Sequence, residues 1–192
     1  VERVQLGNTP PYGSISLNGV NVAGSSRDLF AIQKLQGHLP LLMAPGAKTV
    51  LHIGFGSGGT AKAVSLHAVE RVDIAELTKA VPEASARFFP DINGNVLGDP
   101  RVHLMLCDGR NYVSATDRLY DVILSDSIHP RYAGNGSLYT RDYFGRCKER
   151  LNDRGILSMW LPFYSLREED FKAVLGAFAA EFPNCWVFYV NS

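Results

Sequence analysis

From residue 48 onward, six short apolar runs alternate with helix-like segments. The runs are TVLHI, RVDIA, VHLMLC, YDVILS, GILSMWL and CWVFYV. Between them lie GTAKAVSLHA, LTKAVPEASARFF, GRNYVSA, TRDYFGRCKERL and REEDFKAVLGAFAAEF. Strands this uniformly apolar are buried on both faces, so the alternation predicts an α/β fold with a Rossmann-like parallel sheet flanked by helices. Residues 1–24 read differently. VERVQL and GSISLNGVNVA alternate apolar with polar around the turn signals GNTPPYG and NG, which predicts a small antiparallel β-hairpin element. A helix follows in SSRDLFAIQKLQGHLPLLM, with a capping serine, apolar residues Leu29, Ile32, Leu35 and Leu39, and an end near Pro40. The organisation read from the pattern is thus an N-terminal β element over 1–24 and one α/β domain over 25–192.

The first apolar run passes straight into glycines: TVLHIGFGSGGTAKAV places Gly54, Gly56, Gly58 and Gly59 between a strand and a helix. Such a turn lets a ligand press against the backbone. The ligand is either a dinucleotide with its phosphates or a nucleoside without them, because G-x-G-x-G-G arises readily in glycine-rich turns. The bulk numbers narrow the class. Nineteen Lys+Arg balance nineteen Asp+Glu, so there is no electrostatic footprint of a nucleic-acid surface. No apolar run approaches the ~20 residues a membrane helix needs. Cys107, Cys147 and Cys185 are odd in number and unpaired in spacing, which predicts small buried thiols. The five histidines share no metal-ligand spacing with them, and no metal is expected. A start at Val1 suggests an excised domain or a processed product.

The next three strands each end in an acid: Glu76, Asp108 (followed by Gly109) and Asp126. If these strands are neighbours, the acids converge along one edge of the sheet with the glycine turn. Glu76 lies 22 residues after Gly54, where a nucleotide fold places its ribose acid; this fits a nicotinamide dinucleotide as well. Asp108 suits the exocyclic amine of an adenine, or else an Asp-Gly turn. Asp126 opens SDSIHP and can orient or deprotonate an amine, or else form an Asx-turn.

Taken in order, GFGSGGT, Glu76, the CDGR around Asp108, the SDSIHP at Asp126 and GSLYTRDYF resemble the spermidine synthase family of polyamine aminopropyltransferases. The resemblance extends back through YGSISLNGVNVAGSSRDLFAIQKLQGHLPLL. The tail GILSMWLPFYSLREEDFKAVLGAFAAEFP looks like the bacterial branch fused to transporter-like membrane segments. The resemblance implies a methyltransferase-type fold and an adenosyl sulfonium co-substrate, decarboxylated S-adenosylmethionine or S-adenosylmethionine itself. Glu76 would bind the ribose hydroxyls, Asp108 the adenine amine and Asp126 the attacking amine. Gln33, Gly54, Gly56, Ser57, Gly58 and Gly109 would complete the co-substrate site, with His129, Tyr139 and Tyr164 on the acceptor side beside Trp160. It also implies a small amine (polyamine) acceptor, a homodimer joined partly through the N-terminal β element, and a cytoplasmic location, as a free enzyme or as the cytoplasmic domain of a longer membrane-attached chain.

Three positions depart from the family pattern. Ser57 stands where an acid usually meets the ammonium of the decarboxylated donor, His129 replaces the second acid of D-S-S-D-P, and Ile32 replaces an aromatic residue on the acceptor side. The leading expectation is aminopropyl transfer. The alternatives are an S-adenosylmethionine-dependent N-methyltransferase and a non-catalytic adenosyl-ligand-binding domain.

Overall fold

The computed structural model describes residues 1–5, 11–126, 129–132, 134–162 and 166–189. Strands β1 (Glu2–Val4), β2 (Tyr12–Leu17) and β3 (Val20–Gly24) form an antiparallel sheet in that order. It is three-stranded rather than a single hairpin. Helix α1 (Arg27–Met43) follows, started by Ser26, whose hydroxyl accepts from the Leu29 amide.

The second sheet holds β4 (Thr49–Ile53), β5 (Arg71–Glu76), β6 (Val102–Leu106), β7 (Tyr120–Ser125) and β8 (Leu151–Met159). Its order is β6-β5-β4-β7-β8, and every pairing is parallel. The chain therefore winds outward from β4 in one direction, then returns and winds outward in the other. The reversal falls between β4 and β7, which is where open α/β sheets leave a crevice at their carboxyl ends.

Helices cover both faces, as the apolar strands demand. On one face Leu41 of α1 and Val64 of α2 (Gly59–Ser65) pack on Val50, Val72, Ile74 and Leu124. On the other, Val113 of α5 (Gly109–Ala115) and Tyr143, Phe144 and Cys147 of α6 (Arg141–Glu149) pack on Leu51, Ile53 and Ile123, with Phe178 of α7 (Glu168–Glu181) outside them. Between β5 and β6 run α3 (Ala80–Phe88), within the helix-like segment LTKAVPEASARFF, and then the short α4 (Pro90–Asn93). Phe89 joins this region to Ile15 and Ala23 of the N-terminal sheet.

Helices α1 and α2 meet almost backbone to backbone at Gly37. A Cβ there would lie 2.5 Å from the Ala63 Cβ and 2.7 Å from the Thr60 carbonyl oxygen. Beside this contact His38 Nδ1 and His67 Nε2 share a hydrogen bond of 2.9 Å. Beneath both helices, His52 of β4 is fully buried, and neither of its ring nitrogens has a partner among the described residues. Burial lowers its pKa to about 4, so the ring is neutral at pH 7.

Three expectations are corrected. Helix α1 continues to Met43, past Pro40: the proline removes one donor, but its buried ring caps a well-packed turn and the Ala44 amide still reaches the Pro40 carbonyl. Residues 185–189 form no strand and leave Trp186, Val187, Phe188 and Tyr189 exposed; an apolar run becomes a strand only where an edge pairs with it. Of the three thiols only Cys147 is buried, with its pKa raised to about 12 by burial, whereas Cys107 is half-buried and Cys185 exposed.

Candidate active site

The glycine turn after β4 is built to touch its neighbours. Gly54 adopts φ +87°, and a Cβ there would sit 2.6 Å from the Asp126 carbonyl oxygen, across the reversal point. Gly58 takes φ +84° as the residue before α2, and a side chain would strike Asn93 and Phe55. A Cβ at Gly59 would collide with the Gln33 amide, and one at Gly109 with the Ile53 side chain. The turn's polar groups are satisfied by other elements. Ser85 donates to the Gly56 carbonyl (2.6 Å) and Asn93 to the Ser57 carbonyl (3.4 Å).

Because β6, β5, β4 and β7 are adjacent and parallel, their carboxyl ends line up. Glu76, Asp108, the glycine turn and Asp126 therefore share one edge, as the strand-end pattern anticipated. Each acid is held differently. Glu76 is largely buried, and its two oxygens accept from the Phe55 amide and the Thr78 amide, both at 2.8 Å. One further acceptor site remains on each oxygen, as a ribose diol requires. Asp108 caps α5, accepting from the Asn111 amide at 2.9 Å.

Among the described residues, two side chains meet Asp126. Gln36 Nε2 of α1 lies 3.3 Å from one carboxylate oxygen and Thr60 Oγ1 of α2 lies 3.1 Å from the other. Burial pushes the Asp126 pKa up, and the Thr60 and Gln36 hydrogen bonds pull it partly back. Ser125, Ser158 and Trp160 line the same narrow cleft. Neither Gln36 nor Thr60 stood out in the sequence. The signals were present: Gln36 lies one turn after Gln33 on the helix face that also carries buried Gly37 and Pro40, and Thr60 directly follows the paired glycines.

The other anticipated residues are placed as follows. Gln33 is buried and its amide exchanges two hydrogen bonds with Ser57, at 2.9 and 3.0 Å. The Ser57 hydroxyl thus points at α1. His129 is buried; its Nδ1 accepts from the Arg131 amide, and burial, then the Arg131 charge, lowers its pKa. Tyr139 is buried, and its hydroxyl donates to the Trp160 carbonyl (3.3 Å). Ile32 is half-buried. Tyr164 lies outside the described residues.

Residues 29–191 match the Spermine/spermidine synthase domain. The polyamine aminopropyltransferase of Clostridium perfringens strain 13 is 30% identical over 194 residues, covering 99% of this chain and 68% of the relative. That of Serratia proteamaculans is 38% identical over 149 residues, covering 77% of this chain and 51% of the relative. A spermidine synthase solved in complex with the transition state analogue AdoDATO superposes with a TM-score of 0.78 at 29% identity, over 88% of this chain and 57% of that one. The spermidine synthase of Thermotoga maritima superposes with a TM-score of 0.75 at 28% identity, over 88% and 56%. The chain therefore spans little more than half the length of the solved proteins it matches. With that domain matched over most of its length and relatives of 30% identity spanning 99% of it, the chain belongs to the spermine/spermidine synthase family.

Proposed function

We propose that the chain is an aminopropyltransferase that moves the aminopropyl group of decarboxylated S-adenosylmethionine onto a small amine. The observation that carries this reading is Asp126: a half-buried carboxylate on one flank of a glycine turn whose other flank carries Glu76 and Asp108, in a chain of this family. Relatives named polyamine aminopropyltransferase and the spermidine synthase bound to AdoDATO support the reaction class and the donor.

In this reading Glu76 accepts from the ribose hydroxyls with its two remaining lone-pair sites, and Asp108 accepts from the adenine amine. Gly54, Gly56, Gly58 and Gly109 permit close approach, while Gln33 and Ser57 brace the turn through their mutual hydrogen bonds. The donor supplies a carbon activated by an adjacent sulfonium. The acceptor nitrogen attacks that methylene, the C–N bond forms, the C–S bond breaks, and 5′-methylthioadenosine leaves. Asp126 holds the amine and takes the proton it sheds. Because the sulfonium is already a good leaving group, orientation and exclusion of water supply most of the remaining acceleration. His129 and Tyr139 stand on the acceptor side. The His129 ring is neutral there, since burial and Arg131 both disfavour its charge. Self-association through β1–β3 and a cytoplasmic site of action accompany this reading, and sedimentation and cell fractionation measure them.

Calorimetric titration tests the proposal. Decarboxylated S-adenosylmethionine and 5′-methylthioadenosine should bind, and the decarboxylated donor should bind more tightly than S-adenosylmethionine. Equal or tighter binding of S-adenosylmethionine would turn the reading toward methyl transfer. Failure of all three to bind would remove the nucleoside site.

A further inference from the structure

We propose that Gln36 and Thr60 are positioning residues, which clamp the Asp126 carboxylate from two helices, one donor on each oxygen, and so aim it at the acceptor amine. The inference rests on the assignment of Asp126 as the amine-holding group. It starts from geometry: Gln36 Nε2 stands 3.3 Å from one oxygen and Thr60 Oγ1 stands 3.1 Å from the other. The orientation of the Gln36 amide follows from its partner, since the flipped amide would set its oxygen against a carboxylate oxygen. Thr60 is almost wholly buried, so its hydroxyl has no water to turn to.

The chemistry of the clamp matters as much as its distances. Both donors are neutral. They fix the plane of the carboxylate without pairing its charge, whereas a lysine or arginine in either place would hold the proton acceptor ionised and weaken it as a base. Each oxygen keeps a lone-pair site for the substrate. Among the described residues lining the cleft, Asp126 is the one ionisable side chain; Ser125, Ser158 and Trp160 are its neutral neighbours. The next titratable group along the chain is His129, followed by Arg131. A tilt of either helix therefore reaches the reacting carboxylate directly.

The variants are Thr60→Val, which keeps the shape and removes the hydroxyl, and Gln36→Leu. Thr60→Ser restores a donor. Two readouts are needed. The first is kcat and KM against pH for the whole protein, with decarboxylated S-adenosylmethionine as donor and putrescine as the amine probe. The second, independent of turnover, is a carbon-13 NMR titration of the Asp126 carboxyl. Each removal should lower kcat at least 10-fold and leave the donor KM within 2-fold. Each should also move the acid limb of kcat/KM, and the Asp126 titration, upward by half a pH unit or more. Thr60→Ser should return both toward the parent protein. Loss of thermal stability with kcat, acid limb and carboxyl titration unmoved would overturn the clamp and leave two structural hydrogen bonds. Asp126→Asn separates the two claims. If it stays active, the assignment of Asp126 fails; if it is inactive while Thr60→Val and Gln36→Leu behave like the parent, only the clamp fails.

Discussion

On the β5 side of the glycine turn, Glu76 is gripped by two backbone amides; on the β7 side, Asp126 is gripped by a glutamine and a threonine. A backbone amide is supplied by almost any residue at the position, so the flank proposed to hold the nucleoside should tolerate substitution at positions 55 and 78. The acceptor flank depends on particular side chains and can be altered one residue at a time. Ile32 and His129, the residues expected from the sequence to depart from the family pattern on the proposed acceptor side, fit that asymmetry. Ser57, expected to stand in place of an acid, helps hold the turn, its hydroxyl accepting from Gln33 Nε2 and donating to Gln33 Oε1.

The largest effect should come from Asp126→Asn. Turnover should fall by about 10²–10⁴-fold, the usual contribution of a positioned base, while 5′-methylthioadenosine binding stays near that of the parent. Matched losses in both would merge the two flanks into one unit.

Acid should weaken the floor the flanks share. His52 has a folded pKa of about 4 against 6.5 unfolded, so between those values the unfolded chain binds a proton that the folded chain refuses. Stability is therefore full above pH 6.5 and falls as pH drops, by about 3 kcal/mol on reaching pH 4. Urea unfolding of His52→Leu should show a flatter acid limb than the parent, and an unchanged limb would show that the imidazole takes a proton without leaving the core.

Glu76→Ala strands two amide donors, one of them buried, and should cost about 2–3 kcal/mol in thermal or urea unfolding together with nucleoside binding. Asp126→Ala strands only side-chain donors and removes a carboxylate whose burial is unfavourable, so its stability should lie within about 1 kcal/mol of the parent. Similar losses at the two sites would erase the distinction between flanks. Smallest of all, Asp108→Asn keeps an effective helix cap. It should change stability by less than about 0.5 kcal/mol while weakening every adenosyl ligand to a similar degree, as calorimetry would read.

Much of this was legible in the residues. Five apolar runs became the parallel sheet because buried parallel strands carry an unbroken apolar pattern, and the strand-end acids followed from where such runs stop. What stayed hidden depends on contacts between distant segments. Gln36 reaches Asp126 across 90 residues and Thr60 across 66, and neither pairing leaves a local trace. The run at 185–189 has the composition of a strand, but composition does not supply an edge to pair with. Pro40 reads as a stop by local rule, and its burial within α1 overrides it.

Gly37 makes the two donors a matched pair. It lies next to Gln36 in sequence and against the Thr60 carbonyl in space, so the clearance between α1 and α2 is set by a methyl group that is not there. The gap works as a caliper. Widening it by a single carbon, as in Gly37→Ala, should draw the glutamine and the threonine off the carboxylate together. The reaction rate of such a protein can then drift through helix spacing alone, with every residue that faces the substrates left as it was.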